Sequence, residues 1–141
     1  MTGNPQTLSG QCLCGAVHYQ IDAPFRSVSF CHCRQCARWT GHYVAATSVK
    51  PERFRLTAGE DSLSWFQSSP EARRGFCSRC GSSLFWQPAD GSRISIMAGS
   101  LDPPTGIEAT HHIFTAGKSD YYDIGDDLPC HAAWGGPSAA P

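Results

Sequence analysis

Short alternating runs of apolar and polar residues, broken by turn residues, dominate the chain. Ala16-Val17-His18-Tyr19-Gln20-Ile21 alternates and stops at Asp22-Ala23-Pro24, the pattern of a half-buried strand. Ser27–Phe30, Tyr43–Val49, Arg53–Thr57 and Leu63–Gln67 repeat the pattern, and Arg74-Gly75-Phe76 leads into a cysteine pair. Ser83–Trp86 and Arg93–Met97 flank Pro88-Ala89-Asp90-Gly91, which predicts a β-hairpin. Thr110–Thr115 is the last predicted strand. Only Arg34–Trp39, free of Gly, Pro and β-branched residues, predicts a short helix. The expectation is a small all-β domain over residues 7–130, with flexible termini at 1–6 and 135–141.

Composition narrows the function classes. The chain has 141 residues, one domain's worth, with 11 Lys+Arg against 12 Asp+Glu. The formal net charge of -1 argues against a basic nucleic-acid platform and against an acidic tail. Charged residues make up only 16%, and 14 Gly with 10 Pro favour turns over long helices. No apolar run reaches the roughly 18 residues of a membrane span.

The 8 cysteines change the picture most. Seven fall in three clusters: Cys12-Leu13-Cys14, Cys31-His32-Cys33-Arg34-Gln35-Cys36 and Cys77-Ser78-Arg79-Cys80. Clustered sulfurs converge on a point, as a metal requires, whereas a disulfide framework spreads its cysteines. The clusters and the absence of a signal-like N-terminus together predict a reducing, cytoplasmic setting. Cys77-x-x-Cys80-Gly81 and Cys12-x-Cys14-Gly15 are two turns that can each offer two sulfurs, a closed tetrahedron suited to zinc. Cys31, Cys33 and Cys36 supply only three. That leaves an open fourth position, or a closed site completed by His42, His112 or Cys130. His32, between two ligands in extended chain, points the other way. Arg34 and Arg38 are near enough in sequence to offset the thiolate charge, and Arg73, Arg74 and Lys118 are further cations for a ligand's carboxylates. Trp39, Phe76 and Trp86 are candidates for a pocket wall.

These motifs resemble the glutathione-dependent formaldehyde-activating enzyme family, which also includes centromere protein V. The resemblance runs from Gly10 to about Pro129. It rests on Gly10-Gln11-Cys12-Leu13-Cys14-Gly15-Ala16-Val17, Phe30–Cys36, Phe54–Gly59, Phe76–Leu84, His112-Ile113-Phe114 and Asp126–Pro129. It implies a Mss4-like fold stapled by zinc, with Cys12, Cys14, Cys77 and Cys80 around a structural ion. It implies a second, substrate-facing zinc on Cys31, Cys33 and Cys36, hence two ions per chain. It also implies carbon–sulfur lyase chemistry on a glutathione or other small-thiol adduct of an aldehyde; for such a substrate, Arg34 and Arg38, beside the cluster in sequence, are the expected binding cations. Two departures stand near the end: Tyr121 where the family commonly has Trp, and the extra Cys130-His131. The competing class is a non-enzymatic zinc module that binds a protein or nucleic acid.

Overall fold

A computed structural model describes residues 6–134; the termini expected to be flexible lie outside that range except for Gln6. Ten strands form: β1 (Thr7–Gln11), β2 (His18–Asp22), β3 (Val28–Cys31), β4 (Val44–Val49), β5 (Phe54–Ala58), β6 (Leu63–Ser69), β7 (Ala72–Cys77), β8 (Ser83–Pro88), β9 (Ile94–Met97) and β10 (Ala109–Ile113). The one α-helix among the described residues, α1 (Arg34–Thr40), follows β3. The expected all-β class holds, and each expected strand is present within a few residues. β1 is an addition.

The strands make two sheets. β1-β2-β5 is a three-stranded sheet, and β10-β3-β4-β9-β8-β7-β6 is a seven-stranded one. Every pairing is antiparallel except β10 with β3, which is parallel and sets Ile113 beside Cys31. The expected hairpin is β8–β9, with Phe85 opposite Ile96.

Strand alternation divides the large sheet into two faces. One face carries Phe85, Ile94, Ile96 and Val49 and packs against Tyr19, Ile21 and Leu8 of the small sheet as the main core. Tyr19 meets Phe85 edge to face at 5.0 Å, and its hydroxyl lies 2.5 Å from Ser100 Oγ. The other face presents Val44, Ala46 and Met97, which cluster with Cys36. Each of these faces receives one group of cysteines.

Candidate metal centres and the cavity beside one of them

Cys12 and Cys14 sit in the turn between β1 and β2, while Cys77 ends β7 and Cys80 lies in the turn that leads to β8. Gly15 (φ +82) and Gly81 (φ +80) close these turns from the left-handed region, each donating its N–H back to the carbonyl of the turn's first cysteine. This curls the backbone around sulfur. Val17 N–H points at Cys12 Sγ (3.3 Å) and Arg79 N–H at Cys77 Sγ (3.4 Å), contacts that stabilise thiolates. The turns meet across 63 residues of chain, with Cys14 and Cys77 sulfurs 3.8 Å apart and Cys12 and Cys14 sulfurs 3.6 Å apart. Tetrahedral Zn–S bonds of about 2.3 Å put neighbouring sulfurs about 3.8 Å apart, whereas a disulfide needs about 2.05 Å. The group therefore fits a tetrahedral, sulfur-bound ion. Ser82 joins the turns: its hydroxyl accepts from Leu13 N–H at 2.9 Å and lies 3.2 Å from Cys80 Sγ. The Ser82 hydroxyl, with backbone N–H groups behind it, holds the Cys80 thiol down at about 5.

Cys31 ends β3 on the face opposite the core. Cys33 caps α1, its sulfur accepting from Cys36 N–H at 3.2 Å, and Cys36 lies buried in the first turn. Cys36 and Cys31 sulfurs are 3.5 Å apart, again near a tetrahedral edge. The three sulfurs lie within 4.8 Å of one another, and among the described residues no fourth His, Cys, Asp or Glu joins them. Hydrogen bonds from Cys31 and Cys36, and more weakly the Arg74 charge, pull the Cys33 thiol far below its usual range. Cys31 is pushed far up by its bonds to Cys33 and Cys36 and by burial. The three sulfurs thus share protons among themselves, and a bound cation would favour all three as thiolates.

The side chains considered as a fourth ligand are engaged elsewhere. His42 Nδ1 lies 2.8 Å from the Tyr121 hydroxyl. His112 sits on the far side of β3, with Nδ1 2.8 Å from His32 Nε2 and Nε2 3.0 Å from the Asp126 carboxylate. Cys130 is exposed and directed at the Leu128 carbonyl. His32 does point away from the sulfurs. It is buried against His112 and Tyr122, and burial, then the His112, Lys118 and His42 charges, hold its pKa down at about 4.

The three-cysteine group opens into a cavity of about 510 Å³ on the face of the large sheet. Val44, Ala46, Met97 and Trp86 form its apolar floor and wall, and Phe114 and Trp134 close one side. Arg34 lines it from the start of α1, its Nη1 donating to Ser119 Oγ at 2.8 Å. Arg38, one turn later, is exposed and lines neither this cavity nor a second, more open one of about 430 Å³ beside Arg34 and Lys118. Of the three aromatics considered for a wall, Trp86 serves; Trp39 packs beneath Arg74, and Phe76 is absent from the lining.

Arg74 is the cation that sequence spacing alone did not single out. It lines the cavity yet is only 5% exposed. Nη1 points at Cys36 Sγ (3.7 Å), Nη2 donates to Gln35 Oε1 (3.3 Å), and Nε has no partner. Among the described residues no carboxylate pairs with it. The sequence placed it only in a pool of candidate cations, which says nothing of a contact 38 residues away.

The comparisons agree with this geometry. The family model for the glutathione-dependent formaldehyde-activating enzyme matches residues 7–117. A putative glutathione-dependent formaldehyde-activating enzyme of Halomonas elongata is 26% identical over 130 residues, 83% of this chain and 80% of that one. An uncharacterized lyase of Schizosaccharomyces pombe is 31% identical over 84 residues, and the match spans 58% of each chain. The crystal structure of a Rhodobacter sphaeroides protein superposes with a TM-score of 0.59 at 21% identity, covering 86% of this chain and 98% of that one, a likeness of fold. No helix among the described residues is long and apolar enough to cross a membrane. With most of its length matched by the family model, the chain belongs to the glutathione-dependent formaldehyde-activating enzyme family.

Proposed function

We propose that the chain is a zinc-dependent carbon–sulfur lyase acting on the adduct of an aldehyde with glutathione or another small thiol, of the S-hydroxymethylglutathione type. Cys12, Cys14, Cys77 and Cys80 hold a structural zinc, and Cys31, Cys33 and Cys36 hold the zinc that faces substrate. The observation that carries this reading is three convergent sulfurs, joined by no fourth described side chain, at the end of a cavity of about 510 Å³. Bound there, zinc supplies a Lewis acid with one free position, suited to stabilising a thiolate or polarising an aldehyde oxygen.

The chain's own residues orient and discriminate. Arg74 holds Cys36 in place through Nη1 and sets a positive charge beside the sulfurs, favouring a negatively charged fourth group over a neutral one. Arg34, steadied by Ser119, stands where a carboxylate of the peptide thiol can be met in a charge-assisted contact. Arg38 adds only screened charge from outside the cavity. In the cleavage direction the adduct's hydroxyl loses its proton, its C–O bond becomes a carbonyl, and the C–S electron pair returns to sulfur. His32 and His112 face the other side of β3, bound to each other, so that proton leaves through the open mouth to water.

The test is titration of cobalt-substituted protein with glutathione and with its S-methyl analogue. Glutathione should shift the sulfur-to-cobalt charge-transfer bands and its S-methyl analogue should not. Equal binding of both would remove thiolate ligation from the reading. No response to any thiol would favour a non-enzymatic zinc module.

A further inference from the structure

We propose that the ligand of this cavity carries an apolar group several carbons long on its sulfur-bearing carbon, so that the site selects such a group over a hydroxymethyl. The inference rests on the thiol-adduct reading above and assigns the substrate class within it.

A hydroxymethyl group brings two heavy atoms, needing on the order of 60 Å³ at the packing of a liquid. The cavity is about 510 Å³, so most of it serves some other part of the ligand. Part of the surface beside the sulfurs is apolar. Ala46 and Met97 are paired across β4 and β9, and with Val44 and Cys36 they form one buried cluster against which Cys31, Cys33 and Trp86 pack. A ligand atom attached to the sulfur can therefore meet hydrocarbon over β4 and β9, while Arg74 reaches the sulfurs from β7.

The cavity also carries polar groups: Arg74 beside Cys36, and Ser29, Ser69, Glu71 and Ser95 along its lining. Arg26, which also lines the cavity, directs Nε to the Ser27 carbonyl and Nη2 to Ser29 Oγ and the Ala46 carbonyl. Arg34 and Gln35 are exposed, which places them at the mouth, where a charged peptide body remains hydrated. Phe114 and Trp134, edge to face at 4.9 Å, close the side wall with aromatic carbon. Exposed Arg34 and Gln35, the three sulfurs and the apolar β4–β9 cluster all line one cavity, the surfaces that a thiol adduct of a longer aldehyde would meet. An apolar thiol would present the same carbon chain from its own side.

The experiment uses the zinc-loaded full chain, with calorimetry and tryptophan fluorescence as readouts, since Trp86 and Trp134 line the cavity. One arm titrates straight-chain thiols from ethanethiol to hexanethiol. The other titrates glutathione equilibrated with formaldehyde, butanal or hexanal. Affinity should rise about fourfold per methylene in at least one arm. A rise with aldehyde length assigns the chain to the carbonyl partner, and a rise with thiol length alone assigns it to the thiol. Ala46→Phe, which fills the floor, should flatten the rise; Ala46→Val, a gentler filling, should reduce it and serves if the larger variant does not fold. Affinity independent of length in both arms, or a slope untouched by the fillings, overturns the proposal. The cobalt bands report thiolate ligation separately, so loss of those bands with a persisting slope would fault the lyase reading alone.

Discussion

The two cysteine groups gather their sulfurs by different means and to opposite ends: glycine-closed turns in one, a strand end and a helix N-terminus in the other. The four-cysteine group draws its sulfurs from turns 63 residues apart, and Cys12 and Cys77 are buried beside the main core. The three-cysteine group draws all its sulfurs from one segment, with Cys31 and Cys36 five residues apart, and opens on a cavity on the opposite face of the large sheet. Closing a long loop stabilises a fold in proportion to the freedom removed from the unfolded chain, whereas a local cluster removes little. Ligand count and sequence separation thus distinguish the two groups, and the proposed division into a stabilising and a reactive site rests on them.

The largest effect expected to test that contrast is Cys77→Ser or Cys14→Ser. Either should abolish cooperative unfolding or lower Tm by well over 10 °C, since metal binding here is counted as folding free energy. Circular dichroism melts check it, and a mutant that melts like the parent would erase the distinction. Cys36→Ser should keep the β-sheet spectrum and lose one zinc per chain by metal analysis. Loss of both ions together with the secondary structure would show that the second group also supports the fold.

How much of this was legible beforehand follows from sequence distance. Strands with strict alternation, the β8–β9 hairpin and the helix after Cys33 were readable because their signals are local. β1 was not: its two inward positions are Leu8 and Gly10, and Gly10 is bare because the Tyr19 ring lies 2.3 Å from where its Cβ would stand. A strand that buries a missing side chain carries half a hydrophobic pattern. The outward turn of His32 was legible from strand geometry, but its partners were not, because His112 arrives through the parallel β10–β3 pairing, 80 residues away. Ser82 was hidden for the same reason, and so was the contact of Arg74, which stood in sequence only as one of several candidate cations. Each stands near a recognisable motif and acts on a different one.

Those two residues sharpen the contrast at intermediate scale. Arg74→Gln should weaken thiol binding to the cobalt protein about tenfold while leaving its affinity for imidazole nearly unchanged, because only the thiolate adds a charge that the guanidinium offsets. Equal loss for both ligands would mean that Arg74 merely packs. Ser82→Ala removes the acceptor for Leu13 N–H and should cost about 1 kcal/mol, or roughly 4 °C in Tm, with zinc content intact. A loss confined to thiol binding, with stability unchanged, would place Ser82 in the wrong group.

The smallest expected effect separates two arginines on one short helix. Arg34 and Arg38 are four residues apart on α1, and neither has an ion pair among the described residues. Arg34 lines the cavity and is positioned by Ser119, while Arg38 is exposed and lines neither cavity. An exposed charge that meets a carboxylate directly contributes 0.2 to about 1 kcal/mol, and one separated by water and salt contributes almost nothing. Arg34→Ala should therefore weaken glutathione binding about two- to fivefold, and Arg38→Ala should leave it unchanged at physiological ionic strength. Cysteamine, a thiol with no carboxylate, should not distinguish the two variants from the parent. Parallel losses for glutathione in both variants, vanishing together in high salt, would mean that the helix acts as a diffuse positive field and that its first turn holds no specific contact.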